Sequence, residues 1–178
     1  MIKLKDILLE AKSPDIFIPR RVEDRVERMI KNYIRNGSKG DLSLNNMNLT
    51  ELPEVLKNVS VSGYFNCGGN ELTNLKNSPK YVGGIFTCND NKLTSLEGAP
   101  KIVYGSFYCN DNKLTSLEGS PEKVGGSFYC QYNELTSLTG APKKVDGMFR
   151  CYRNLVKFTE EQVRSVCDVG GYIEVWLS

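Results

Sequence analysis

Cys67, Cys88, Cys109, Cys130 and Cys151 follow one another at intervals of 21 residues without a slip. Asn70, Asn91, Asn112, Asn133 and Asn154 keep the same step, and so do Phe65, Phe86, Phe107, Phe128 and Phe149. Leu72, Leu93, Leu114 and Leu135 form another column, as do Leu75, Leu96, Leu117 and Leu138, and Pro79, Pro100, Pro121 and Pro142. A unit this short cannot close a hydrophobic core by itself. Each copy must stack on its neighbours, so the chain is constrained to a solenoid.

The unit reads V-x-G-x-F-x-C-x-x-N-x-L-T-x-L-x-x-x-P. Phe and Cys stand two residues apart, which is the alternation of a short strand with both side chains inward. The x-x-N step is a turn, and N-x-L-T-x-L supplies two more inward anchors. Gly and Pro punctuate a return leg with no room for a long helix. The expectation is one strand per coil, stacked into a parallel sheet with rungs ~4.8 Å apart. "DLSLNNMNLTELPEVL" is an irregular first coil, with Leu42, Leu44, Leu49 and Leu52 on anchor positions and Met47 in place of the asparagine. A terminal repeat is expected to be atypical, since one of its faces has no neighbour.

These columns resemble the leucine-rich repeat, L-x-x-L-x-L-x-x-N-x-L, with Phe and Cys in two of the leucine positions. The short period is similar to the bacterial effector type, whose convex side is extended rather than helical. The resemblance covers Asp41 to Asn154. It implies a leucine-rich-repeat solenoid with a parallel β-sheet on the concave face, an extended and turn-rich convex side, an N-terminal capping helix and a C-terminal helix-plus-strand cap. A right-handed β-helix would need more than one long strand per turn, for which this unit and its proline placement leave little room. The expected organisation is a leader over 1–14, a capping helix within 15–40, the solenoid over 41–154 and a C-terminal cap over 155–178. The effector ligases that resemble this repeat carry a separate catalytic domain after it. Here only a short cap follows the repeats, so that activity is not expected.

The aligned cysteines read as small buried hydrophobes. Their spacing is not C-x-x-C, and no histidine is present to complete a zinc set. Adjacent rungs would hold Cβ atoms near ~5 Å, beyond the ~3.5–4.5 Å that suits a disulfide. Free thiols in such number point to a reducing compartment. Cys167 is assigned to the core of the C-terminal cap. Each buried Asn is expected to serve the backbone of the next rung's turn.

Before the solenoid, Pro19 and the stripe Val22, Val26, Met29, Ile30, Tyr33 and Ile34 predict an amphipathic helix ended by Gly37. Its other face carries Arg20, Arg21, Arg25, Arg28, Lys31 and Arg35, interleaved with Glu23, Asp24 and Glu27. That mixture suits a cap better than an arm for nucleic acid. After the solenoid, Thr159 and Gln162 form a capping-box pattern for a short helix. "GGYIEVWLS" alternates as a last strand with Ile173 and Val175 inward.

"MIKLKDILLEA" resembles the capsid-targeting leader of internal head proteins in large tailed bacteriophages. Such leaders are cut after a hydrophobic-x-Glu triplet, which Leu8-Leu9-Glu10 before Ala11 matches. The Phe-x-Cys repeat with "LTSLEGAP" is also similar to repeat proteins of large phage genomes. The resemblance implies a place in the host cytoplasm or the virion. The N-terminus has no secretory signal, and no stretch approaches 18 apolar residues, so no membrane span is expected. A net charge of +2 requires neither nucleic acid nor an anionic membrane as a partner.

Without histidine there is no Ser-His or Cys-His nucleophile, and no phosphate-binding glycine loop occurs. Asp90 and Asp111 lie on equivalent rungs and read as solvated turn acids rather than calcium ligands. No catalytic residue, metal or cofactor is therefore expected. What remains is surface. The residues flanking each Cys face outward on the concave sheet, and on the late rungs, with the adjoining turn column, they become Tyr108, Tyr129, Tyr132, Arg150, Tyr152 and Arg153. Tyr and Arg are enriched in binding hot spots, and concave solenoid faces are extended binding surfaces. The expected function is a non-enzymatic protein-binding module whose partner is a host factor or a capsid component. The alternative is a packaged internal head protein directed by the leader.

Overall fold

The computed structural model describes residues 22–176. The leader with Glu10 and Ala11 lies outside them, as do Pro19, Arg20, Arg21 and Leu177. Among the described residues the chain winds through about six turns of a parallel-strand leucine-rich-repeat solenoid.

Each of the five Phe-x pairs contributes one strand of the concave sheet, and an equivalent pair at either end completes it: Leu42–Ser43, Phe65–Asn66, Phe86–Thr87, Phe107–Tyr108, Phe128–Tyr129, Phe149–Arg150 and Ile173–Glu174. Neighbours are parallel and Phe pairs with Phe in register. The N–H groups donate toward the following rung, as in Phe107 N–H to Ser127 O at 2.9 Å. Constant register stacks the five phenyl rings, with centroids 5.1 to 5.6 Å apart, in a fully buried column. Burying each is worth roughly 1.5–3 kcal/mol.

The expectation of one strand per coil is corrected. The valine of V-x-G sits in a second strand, and these also stack in parallel: Ser60–Val61, Tyr81–Val82, Ile102–Val103, Lys123–Val124, Lys144–Val145 and Asp168–Val169. Its hydrogen bonds run toward the preceding rung, as in Gly83 N–H to Val61 O. The chain turns from the second sheet to the concave sheet at a glycine that packs on the rung before. A Cβ on Gly105 would come within 2.7 Å of the Gly84 backbone, so only glycine fits this corner. Two-residue strands are far shorter than those of a long-stranded β-helix, and the leucine-rich-repeat assignment stands.

The asparagine column joins the rungs, but in the direction opposite to the expected one. Asn112 Oδ1 accepts from Leu93 N–H on the preceding rung at 2.9 Å. Its Nδ2 donates to Cys88 O at 3.1 Å and to Cys109 O at 3.2 Å. Asn91 and Asn133 repeat the pattern. The cysteines are free and buried. Each ladder thiol from Cys67 to Cys130 donates to a carbonyl one rung on, as Cys109 Sγ does to Tyr129 O at 3.3 Å.

The N-terminal helix, Val22–Arg35, buries Val26, Ile30 and Tyr33 on the first coil. Ile34 departs from the expected stripe and is 42% exposed. The helix ends in a Schellman motif: Gly37 has φ +76°, Ser38 N–H donates to Tyr33 O and Gly37 N–H to Ile34 O. At the other end, Glu160–Val166 is a helix whose capping box joins Thr159 and Gln162 reciprocally. The strand Ile173–Glu174 then extends the concave sheet, with Ile173 half-buried and Val175 buried.

Candidate functional site

Parallel register places equivalent outward residues above one another at strand spacing, so aromatic residues on successive rungs must touch. Tyr108 and Tyr129 stack with centroids 4.4 Å apart and planes 9° from parallel. On the next rung the Arg150 guanidinium lies 5.3 Å from the centre of the Tyr129 ring and 5.8 Å from that of Tyr152. Tyr152 meets Tyr132 edge to face at 5.5 Å. Five of the six residues singled out from the sequence thus form one chain of contacts. Arg153 stands beside it, exposed in the turn column.

Sequence reasoning missed the group that fixes Arg150. Its Nε donates to Glu174 Oε2 at 2.6 Å, across from the last strand. Both side chains are about one third exposed or less, at 28% and 30%. Burial lowers the Arg150 pKa, but the Glu174 charge and hydrogen bond more than offset it, so the guanidinium is held above its ordinary value. Burial, then Tyr129, pushes the Tyr108 phenol up. Burial, then Tyr132, does the same for Tyr152. The cluster is therefore an aromatic surface built around one ion pair.

Two features differ from the expected outward face. Tyr152 is only 9% exposed, because Tyr132 covers it, and Gln131 is buried at 8%. The turn column is left-handed throughout: φ is +65° at Gly69, +52° at Asp90, +55° at Asp111, +55° at Tyr132 and +55° at Arg153. Gly and Asp accept this conformation readily, whereas a bulky side chain pays roughly 1–2 kcal/mol. Tyr132 and Arg153, beside the aromatic cluster, therefore hold backbone strain that Gly69, Asp90 and Asp111 avoid. Asp90 and Asp111 each accept from the amide of the preceding asparagine.

A second exposed apolar group was not singled out from the sequence. Tyr81, Ile102 and Tyr104 lie along the outer side of the second sheet, with the two tyrosine rings 5.5 Å apart. Its signal was the residues next to the column valines, Tyr81 before Val82 and Ile102 and Tyr104 on either side of Val103, which become outward-facing only once the second strand is recognised.

No family model matches the chain, and no curated protein matches it. Among solved structures it is similar to the leucine-rich-repeat domain of a Shigella effector, with a TM-score of 0.61 and 20% sequence identity over 96% of this chain and 87% of that one. That likeness is one of fold.

Proposed function

We propose that the chain is a non-enzymatic protein-binding module that grips its partner with the C-terminal half of the concave face. The observation that carries this reading is the contact chain Tyr108–Tyr129–Arg150–Tyr152–Tyr132, preorganised by stacking and by Glu174. Rigid aromatic and guanidinium groups lose little freedom on binding, so their contact area converts efficiently into affinity. The partner is a host factor or a capsid component. Replacing Tyr129 and Arg150 together by Ala is expected to weaken affinity capture by about 100-fold or more, with circular dichroism and melting temperature little changed. Capture at parental strength would overturn the assignment of the face. Tyr132→Gly relieves the left-handed strain but uncovers Tyr152, so the two effects offset: it is expected to melt within a few degrees of the parent and yet to bind more weakly.

The packaged-protein reading rests on the Leu8-Leu9-Glu10 triplet. Mass spectrometry of purified particles is then expected to find a chain starting at Ala11. Particles that lack the chain would overturn it.

A further inference from the structure

A cleft of about 300 Å³ opens at the C-terminal end of the aromatic cluster, walled by Tyr152, Arg153, Val156, Lys157, Val175 and Trp176. Its floor is apolar, since Cys151 and Val175 are buried there. Its rim is cationic. Arg153 and Lys157 both line it, and Lys157 Nζ stands 6.0 Å from the centre of the Trp176 ring. Among the described residues no carboxylate is within ion-pair distance of either cation. The nearby Glu174 is engaged by Arg150. Among the described residues no acid lines the cleft. Leu155 at 69% exposure and Trp176 at 57% add apolar surface around the opening.

The two halves of this site ask for two things in one ligand. The apolar floor takes a hydrophobic side chain. The rim cations gain most from a carboxylate, which forms charge-assisted bonds with arginine and lysine. We propose that the cleft is a docking pocket for an acidic segment of the partner protein. One apolar side chain of the segment fills the cleft against Val156, Val175 and Trp176, and a flanking carboxylate accepts from Arg153 and Lys157. The proposal rests on the protein-binding reading above and adds the chemistry of the segment that is bound.

Trp176 is the chain's single tryptophan, so its fluorescence reports on this cleft alone. The full chain is titrated with three pools of short blocked peptides. One carries Asp or Glu on both sides of Leu or Phe, the second has Asn or Gln in place of the acids, and the third has Gly in place of the apolar residue. Only the first pool is expected to shift the Trp176 emission saturably. Its apparent affinity is expected to fall by about tenfold in the Arg153→Gln/Lys157→Gln variant, whose circular dichroism should match the parent. An equal response to the neutral pool, no response to the acidic pool, or a stronger response to oligothymidine would overturn the proposal. Partner capture separates the two levels. Loss in both the Tyr129→Ala/Arg150→Ala and the Arg153→Gln/Lys157→Gln variants supports the pocket. Loss in the first alone leaves the concave-face reading intact and removes the cleft from it.

Discussion

Above pH 9 the folded chain is expected to lose stability steeply, through the cysteine ladder. Burial pushes the Cys67 and Cys151 thiols up to about 12. Burial likewise pushes up Cys88, Cys109 and Cys130, and for Cys88 and Cys130 the neighbouring thiols add to the rise, because adjacent thiolates would repel. In the unfolded chain each thiol ionises near 9.0. The folded state therefore keeps protons that the unfolded state releases. The thiols' stabilising effect is fully present below that pH and is lost as pH rises toward the folded value. One such proton changes stability by about 1.4 kcal/mol per pH unit. Five acting together approach about 7 kcal/mol per unit, comparable with the roughly 5–15 kcal/mol that holds an ordinary domain. Urea unfolding followed from about pH 7.5 to about pH 10.5 should show the fall. Cys109→Ala should make its slope shallower by one proton, although the substitution itself costs stability at neutral pH. A flat profile through that range would mean that the ladder is not buried as neutral thiol.

The columns of Phe, Cys, Asn and Leu were legible because a constant period forces equivalent residues into equivalent places. Their burial and register followed from that alone. The valine column was equally visible, but a two-residue bridge carries no alternation to mark it as a strand. The direction in which each asparagine reaches was not legible either, since a regular stack looks the same read up or down. In the aromatic cluster, the contact of Tyr108, Tyr129 and Arg150 was legible because all three stand on regular rungs. Glu174 was not, because the last coil is longer: Arg150 pairs with Glu174 across 24 residues, where a step of 21 would land on Gly171. Lys157 and Trp176 come from different non-repeating segments, and only the fold of the cap brings them to one cleft. The near-complete covering of Tyr152 depends on the edge of Tyr132, a side-chain contact that no spacing announces.

Asn112→Ala is expected to cost about 3–5 kcal/mol, as much as emptying a leucine site in the core. The side chain is 9% exposed and bonds to two rungs at once. Its Oδ1 takes the Leu93 N–H, and its Nδ2 is shared among the carbonyls of Cys88, Cys109 and Asn110. Alanine leaves the buried Leu93 N–H with no acceptor, at about 1–3 kcal/mol, and deprives the carbonyls of a common donor at a similar cost. Asn154 on the last regular rung is half-buried, so water can replace part of what is lost, and Asn154→Ala should cost less than half as much. Asn112→Asp separates the two roles. It keeps the acceptor and the volume but turns a carboxylate oxygen toward carbonyls that need a donor. At pH 7 it should destabilise at least as much as alanine. Burial and those carbonyls raise the folded pKa of the new carboxyl, so stability should recover as acidification protonates it. Urea unfolding at pH 7 and about pH 4.5 decides the matter. An aspartate variant as stable as the parent at pH 7 would mean that the donor half of the ladder holds nothing, and the asparagine column would need another explanation.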